Sequence, residues 1–246
     1  AASWSLGYIF SPALGGYLAS SVGMQWVFFL GFVFYSLATV TLFLVHSQHA
    51  SKPSNLENTS GNNTYQIRRL IFVSLFFAAA MFSLGLVRPL VVQFFKDIFV
   101  LNSFQIGVLG SVTFFGWAVF SIELGRLGDR RNKTVAVAAA LLAASFSFSL
   151  LVSWGFFPSL ILASFLNGAT FPVWALMNAC ISVLAPEISR GRWISLSQVT
   201  ATLAAFAAPY LGGILYENSP YLPFYLVIAV TPLLAVLGFT RPFRQT

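Results

Sequence analysis

Few side chains in this 246-residue chain suit enzyme chemistry. The one cysteine, Cys180, lies in an apolar run, so the chain has neither a disulfide of its own nor enough thiolates for a metal site. His46-x-x-His49 has metal-like spacing, but no cysteine or carboxylate stands beside it in its polar stretch, and neither metal nor cofactor is expected. No Gly-x-x-x-x-Gly-Lys-Ser phosphate cradle and no nucleophile–base pair stands out. What remains is a sparse set of charges and amides in apolar surroundings: Arg88 before Pro89, Glu123, Asp129 among cations, and Asn167, Asn178 and Gln198. Such groups bind or pair with solutes, protons or one another when water is scarce.

The elements that must hold them are read from composition. Only 8% of residues are charged, against roughly 25% in an average soluble domain. Apolar residues make up 58%, aromatics 17%. Too little charge is present to coat a water-facing surface, which excludes an ordinary soluble domain and a disordered chain. A bilayer-crossing helix needs roughly 20 mostly apolar residues. Eight apolar segments are readable, at 3–20, 26–45, 70–95, 104–125, 134–153, 158–185, 193–216 and 221–240. Their length disfavours a β-barrel, which would show short alternating segments. The expected fold class is an all-α, multi-pass membrane bundle, with the lipid bilayer as its first partner. The polar, asparagine-rich residues 46–69 read as a linker between a 1–45 pair of helices and a 70–246 set of six.

Charge placement orients the bundle. If the segments alternate, Lys52, Arg68, Arg69, Arg126, Arg130, Arg131, Lys133, Arg190, Arg192, Arg241 and Arg244 all fall on one side, leaving Lys96 and the nearby Arg88 for the other. The positive-inside rule makes the first side cytoplasmic, with the linker and the C-terminus there. The glycosylation sequons at Asn58 and Asn62 are then unusable. The net charge of +7 is a topology signal, and no nucleic-acid partner is expected.

Two helices carry polar stripes. Asn167, Thr170, Trp174 and Asn178 fall within roughly 80° of one helix face, with Pro172 allowing a bend. Ser195, Gln198, Thr202, Phe206 and Pro209 make a similar stripe on the next segment. Each stripe either glues neighbouring helices or faces a watery cavity. Arg88 either faces a cavity partner or snorkels to the headgroups. Glu123 is placed to pair with Arg126 at i+3, with proton carriage as the alternative.

The chain also repeats itself. LGYIFSPALGGYL at 6–18 aligns without gaps on LAAFAAPYLGGIL at 203–215. Pro12 meets Pro209, and Gly15-Gly16 meets Gly212-Gly213. The proline bends a helix, and the glycine pair admits a close neighbour. Segment one thereby matches segment seven. The repeating unit is six helices, and four further helices are expected upstream of Ala1.

Three motifs resemble those of the major facilitator superfamily. Gly125-Arg126-Leu127-Gly128-Asp129-Arg130-Arg131-Asn132-Lys133 resembles the family's Gly-x-Leu-x-Asp-Arg-x-Gly-Arg-Lys loop, with Asn132 in place of the usual glycine. Pro186-Glu187-Ile188-Ser189-Arg190-Gly191 resembles its Pro-x-x-x-Arg-Gly element. Gly7 to Gly16 resembles the Gly-x-x-x-Gly-Pro-x-x-Gly-Gly motif of proton-coupled exporters, with Ser11 in place of a glycine.

The resemblance implies the fifth to twelfth helices of a transporter: the last two of one half, a cytoplasmic linker and a complete second half. It implies a non-enzymatic exporter of a small organic solute, exchanging it for protons by alternating access in the plasma membrane. A solute importer or uniporter of the same fold is the first alternative. A receptor or assembly factor without transport is the second. Arg88, Asn167, Thr170, Trp174, Asn178, Gln198 and Thr202 would line the cavity. Gly125, Gly128, Asp129, Arg130, Arg131, Lys133 and Arg190 would form a conformational latch, or else a positively charged anchor capped by Asp129. Gly7, Pro12, Gly15, Gly16, Pro209, Gly212 and Gly213 would serve bending and packing.

Overall fold

A computed structural model describes residues 2–44 and 64–238. Lys52, Arg241, Arg244, both sequons, most of the linker and the His46/His49 pair lie outside the described residues, as do the surroundings of Gly7.

Among the described residues all regular structure is helical. The ten helices are α1 (Ala2–Ser21), α2 (Met24–Leu44), α3 (Thr64–Val87), α4 (Leu90–Asp97), α5 (Ser103–Arg130), α6 (Lys133–Ser153), α7 (Phe157–Asn167), α8 (Pro172–Leu184), α9 (Arg190–Asn218) and α10 (Leu222–Leu237). With α3–α4 and α7–α8 each forming one broken rod, they occupy the eight expected segments. Six stretches among the described residues are long and apolar enough to cross a bilayer, not eight. The exceptions are α1 and α10. Glycine, serine and tyrosine dilute the apolar content of α1, and the described part of α10 has only 16 residues.

Both breaks have local causes. Proline disfavours the helical conformation in the residue before it and lacks an N–H of its own. Arg88–Pro89 therefore ends α3 and starts α4. A 3-10 turn over Gly168–Thr170 separates α7 from α8, which opens at Pro172. Pro12, Pro209 and Pro232 lie inside helices without ending them.

Two helix starts carry side-chain caps. Asn102 and Gln105 form a reciprocal capping box at the start of α5, with bonds of 2.8 and 3.0 Å. The Asn132 side chain caps α6 by accepting the Thr134 N–H at 3.2 Å. Of the two helix starts that Asp129 could cap, this one or another facing it, this one is corrected: Asn132 sits at the N-cap, whereas Asp129 is still inside the last turn of α5.

Packing depends on small residues that let backbones approach. α6 buries Ala136, Ala138, Ala140 and Ala144. Hydroxyls tie it to its neighbours: Ser145 donates to the Ile228 carbonyl at 3.0 Å, and Ser147 to the Ala163 carbonyl at 2.7 Å. A Cβ added to Gly116 would strike the Phe165 carbonyl oxygen. One added to Gly168 would strike the Trp117 amide and come within 2.6 Å of the Thr113 carbonyl oxygen. The α5 and α7 backbones therefore touch where the 3-10 turn begins.

The two copies of the repeat seat different neighbours. α1 crosses α5 antiparallel. Gly16 lies on Ser103 and Gly107, Pro12 on Gly107 and Gly110, and the Ala13 N–H donates to Ser111 Oγ at 3.0 Å. α9 runs beside α3, with Gly212 on the Leu86 carbonyl and Ala208 on Gly85. Gly15, aligned with Gly212, and Gly213, aligned with Gly16, have no atom within reach of an added Cβ. Consecutive helical residues point about 100° apart. The same motif thus presents faces about one residue apart to its main partner. On α2, Phe28, Phe32 and Tyr35 remain exposed and call for lipid or another helix.

Gly168→Val should lower the melting temperature of the detergent-purified protein by several degrees. The cost is up to ~3 kcal/mol, because the struck atoms are backbone and cannot swing aside. Gly31→Val, facing open space, serves as the control. Equal melting temperatures for the two variants would contradict this packing.

Candidate functional site

The end of the bundle that carries Asp129, Arg130, Lys133 and Arg190 is its basic end. A cavity of about 510 Å³ runs from there between α5, α6 and α8. At the basic end it is bordered by Gly125, Gly128, Asp129 and Lys133, and at mid-depth by Trp117, Phe171 and Trp174. A neighbouring hollow of about 360 Å³ lies between α8 and α9, lined by Trp174, Ser195, Gln198 and Thr202. Trp174 borders both. Volumes of this order suit a small organic molecule.

Aromatic rings from separate helices meet at mid-depth. Tyr8 of α1 lies 5.3 Å from Phe114 and 5.7 Å from Trp117. Phe171, at the α7–α8 break, lies 5.3 Å from Trp117 and 5.5 Å from Phe114. Trp174 meets Phe77 of α3 edge-on at 5.0 Å. The Arg88 guanidinium reaches across from the α3–α4 break and stacks 4.8 Å from the centre of the Phe171 ring. The break that Pro89 causes is therefore also what places Arg88 on this layer.

The two polar stripes meet at one point. Gln198 Nε2 donates to Asn178 Oδ1 at 3.2 Å, bridging α8 and α9 beside the smaller hollow. Each amide keeps unused donors or acceptors after this single bond. Thr202 and Ser195 line that hollow. Phe206, further along the stripe, is 83% exposed.

The other half of the expected α7–α8 stripe lies elsewhere. The 3-10 turn changes the angular step per residue, so the four positions no longer share one face. Thr170 is 3% exposed, and its hydroxyl donates to the Asn167 carbonyl at 2.8 Å. Asn167 borders a separate crevice of only about 10 Å³ with Phe95 and Phe148.

In the Gly125–Lys133 loop the glycines differ in role. Gly128 is buried, and an added Cβ would make ordinary contact with Ala136 and Leu176. Gly125 has open space and borders the cavity. Asp129, Arg130 and Arg131 are exposed. Among the described residues Asp129 has no ion-pair or hydrogen-bond partner. Glu123 pairs with Arg126 at 3.1 Å, and Glu187 approaches Arg190 at 3.8 Å, both exposed. Asp129 also sits at the C-terminal end of α5, where the helix dipole disfavours an anion by about 0.3–1 kcal/mol.

Sequence reasoning missed the aromatic layer and the α5 face of the cavity. A signal was available. Phe114, Trp117, Ser121, Gly125 and Gly128 follow helical spacing as a stripe of rings, a hydroxyl and glycines along an otherwise aliphatic helix.

The chain is similar to several known proteins. A likeness of fold links the chain to a bacterial homologue of the iron transporter ferroportin, crystallised in an inward-facing state. The TM-score is 0.65 at 18% identity, covering 98% of this chain and 61% of that one. The MFS-type transporter YuxJ of Bacillus subtilis is 28% identical over 227 residues, which is 86% of this chain and 56% of that protein. The class B tetracycline resistance protein of Escherichia coli is 24% identical over 169 residues, 66% of this chain and 42% of that protein. The chain thus spans about half the length of the curated relatives it matches. Residues 71–245 match the Major Facilitator Superfamily, covering most of the chain and every cavity-lining helix from α3 onward. On that match, together with the all-helical multi-pass fold, the chain belongs to the major facilitator superfamily of membrane transporters.

Proposed function

We propose that the chain belongs to a secondary transporter that moves a small organic solute by alternating access, and that it works as a proton-coupled exporter. The observation that carries this reading is the cavity. It begins at the basic end beside Asp129 and Lys133 and stops at mid-depth against stacked rings. A hollow that reaches mid-depth is where rocking of two helical halves places a solute site. With the cations counted on one side, the open end is cytoplasmic, and the plasma membrane is the natural setting. The kinship with a protein named for tetracycline resistance supports an organic solute and outward movement.

The Gly125–Lys133 loop is the latch in this reading. Asp129 is exposed, has no partner among the described residues and sits on the wrong end of its own helix dipole, so a helix N-terminus or cation presented by the opposite half would stabilise it. That gain would exist only in the conformation that brings the partner near. In this reading Gln198 combines both roles of a polar stripe, bridging to Asn178 between α8 and α9 while lining the hollow.

Proton coupling needs an acid that titrates with the transport cycle. Asp97, Glu123, Asp129, Glu187 and Glu217 all lie at helix ends or within two turns of them. The coupling acid is therefore assigned to the part of the protein outside the described residues.

Three measurements on the full-length protein in proteoliposomes test this reading, with tetracycline as the first solute. Accumulation should follow an imposed pH gradient. Accumulation that ignores the gradient would remove proton exchange. Asp129→Asn should slow transport about tenfold, in line with a charge-assisted contact, while membrane insertion stays normal. Unchanged rates would leave the loop an anchor. Asn178→Ala or Gln198→Ala should cost only about 0.6 kcal/mol of stability yet raise the solute KM several-fold. A stability loss with unchanged KM would make the pair interhelical glue and nothing more.

A further inference from the structure

Among the described residues Arg88 has no counter-charge, and its side chain is exposed. Its guanidinium lies over Phe171, a ring that borders the cavity. The ring contributes only about 0.5–2 kcal/mol, and the side chain is otherwise exposed, so its charge stays available to a ligand. Among the described residues no carboxylate reaches Arg88. Glu123 and Glu187 pair with arginines on their own helices, and Asp97 accepts from Gln93 and from the Tyr216 hydroxyl. The guanidinium donates to no acceptor among the described residues, and part of its surface stays open. Its planar fork of N–H groups matches a carboxylate or a similar oxyanion.

The surroundings specify the rest of a ligand. Trp117 and Phe171 are tilted by only 31° from each other at 5.3 Å, and Trp174 lines the cavity from α8. Flat apolar walls of this kind suit a planar ring system. At the cavity mouth Asp129 and Lys133 offset one another in charge. Arg88 therefore sets the sign of the field at the inner end, which favours an anion and repels a cation.

We propose that Arg88 and the ring layer at Phe171 form a subsite for an acidic group, and that the solute is an organic anion with a flat apolar body. This deepens the transporter reading above and rests on it. The acidic group pairs with Arg88 while the planar body lies along Trp117 and Trp174.

The test uses three probes with one ring system: 2-naphthoate, 2-naphthamide and 2-naphthylmethylammonium. Their binding to the purified full-length protein is read by quenching of tryptophan emission. Naphthoate should bind about tenfold more tightly than the amide, as expected for one charge-assisted hydrogen-bonded pair, with the ammonium weakest. In Arg88→Gln the anion preference should vanish while amide binding stays within about twofold, which also shows that the variant is folded. Equal affinity for all three probes, as would follow if an acid elsewhere in the protein already neutralises Arg88, overturns the anion assignment and leaves the cavity standing. So does an anion preference that survives Arg88→Gln. Failure of every probe to bind overturns the anion subsite and the cavity reading together.

Discussion

Backbone contact between helices at glycine is the constraint on which the rest of this molecule depends. Lipid is as apolar as a leucine side chain, so helices gain little by hiding leucines from it, and close fit must hold the bundle together. α5 shows this best. Gly107 admits α1, Gly116 admits α7, and Gly128 lies against α6. Because α5 is so closely gripped along its length, its cavity face is held in place. That face carries Phe114, Trp117, Ser121 and Gly125. The α7 seam at Gly116 points away from the cavity wall, whereas Gly107 and Gly128 lie along the same side of the helix as that wall.

The two helix breaks are the second part of the design. An unbroken α3 would run past mid-depth without presenting Arg88 as it does, and an unbroken α7–α8 would keep Phe171 in a continuous helical register. Pro89 and the Gly168–Pro172 turn place both residues at one level, where they stack. Non-helical backbone in a membrane protein persists where protein or a cavity surrounds it, and the buried Gly168–Thr170 turn meets that condition. The charge at the layer and the rings beneath it are thus consequences of local backbone chemistry.

Much of the fold was legible in the sequence because hydropathy and length alone decide where helices lie in lipid. The eight segments, the bends and the family motifs follow from residue types and spacing. What was not legible depended on which way a helix turns. Pro-x-x-Gly-Gly occurs twice, but no linear pattern tells that α1 seats its neighbour with Gly16 and α9 with Gly212. The Asn167–Thr170–Trp174–Asn178 stripe assumes a continuous helix, and the 3-10 turn divides it. Asn132 in place of a glycine was visible as a departure from the family loop. Only the helix boundary revealed it as the cap of α6. The ring layer escaped notice because Tyr8, Phe114 and Phe171 come from distant parts of the chain and meet only on packing.

Alternating access is the central claim, and thiol labelling tests it most directly. Ser121 lines the cavity midway between Trp117 and Gly125, and the buried native Cys180 can be replaced by alanine to leave a clean background. In the full-length protein, with Cys180→Ala and Ser121→Cys combined, a membrane-impermeant maleimide is applied to each side of sealed vesicles in turn. Alternating access predicts labelling from the basic side and, to a degree that changes when solute is present, from the opposite side as well. Labelling confined to one side at every solute concentration would contradict it.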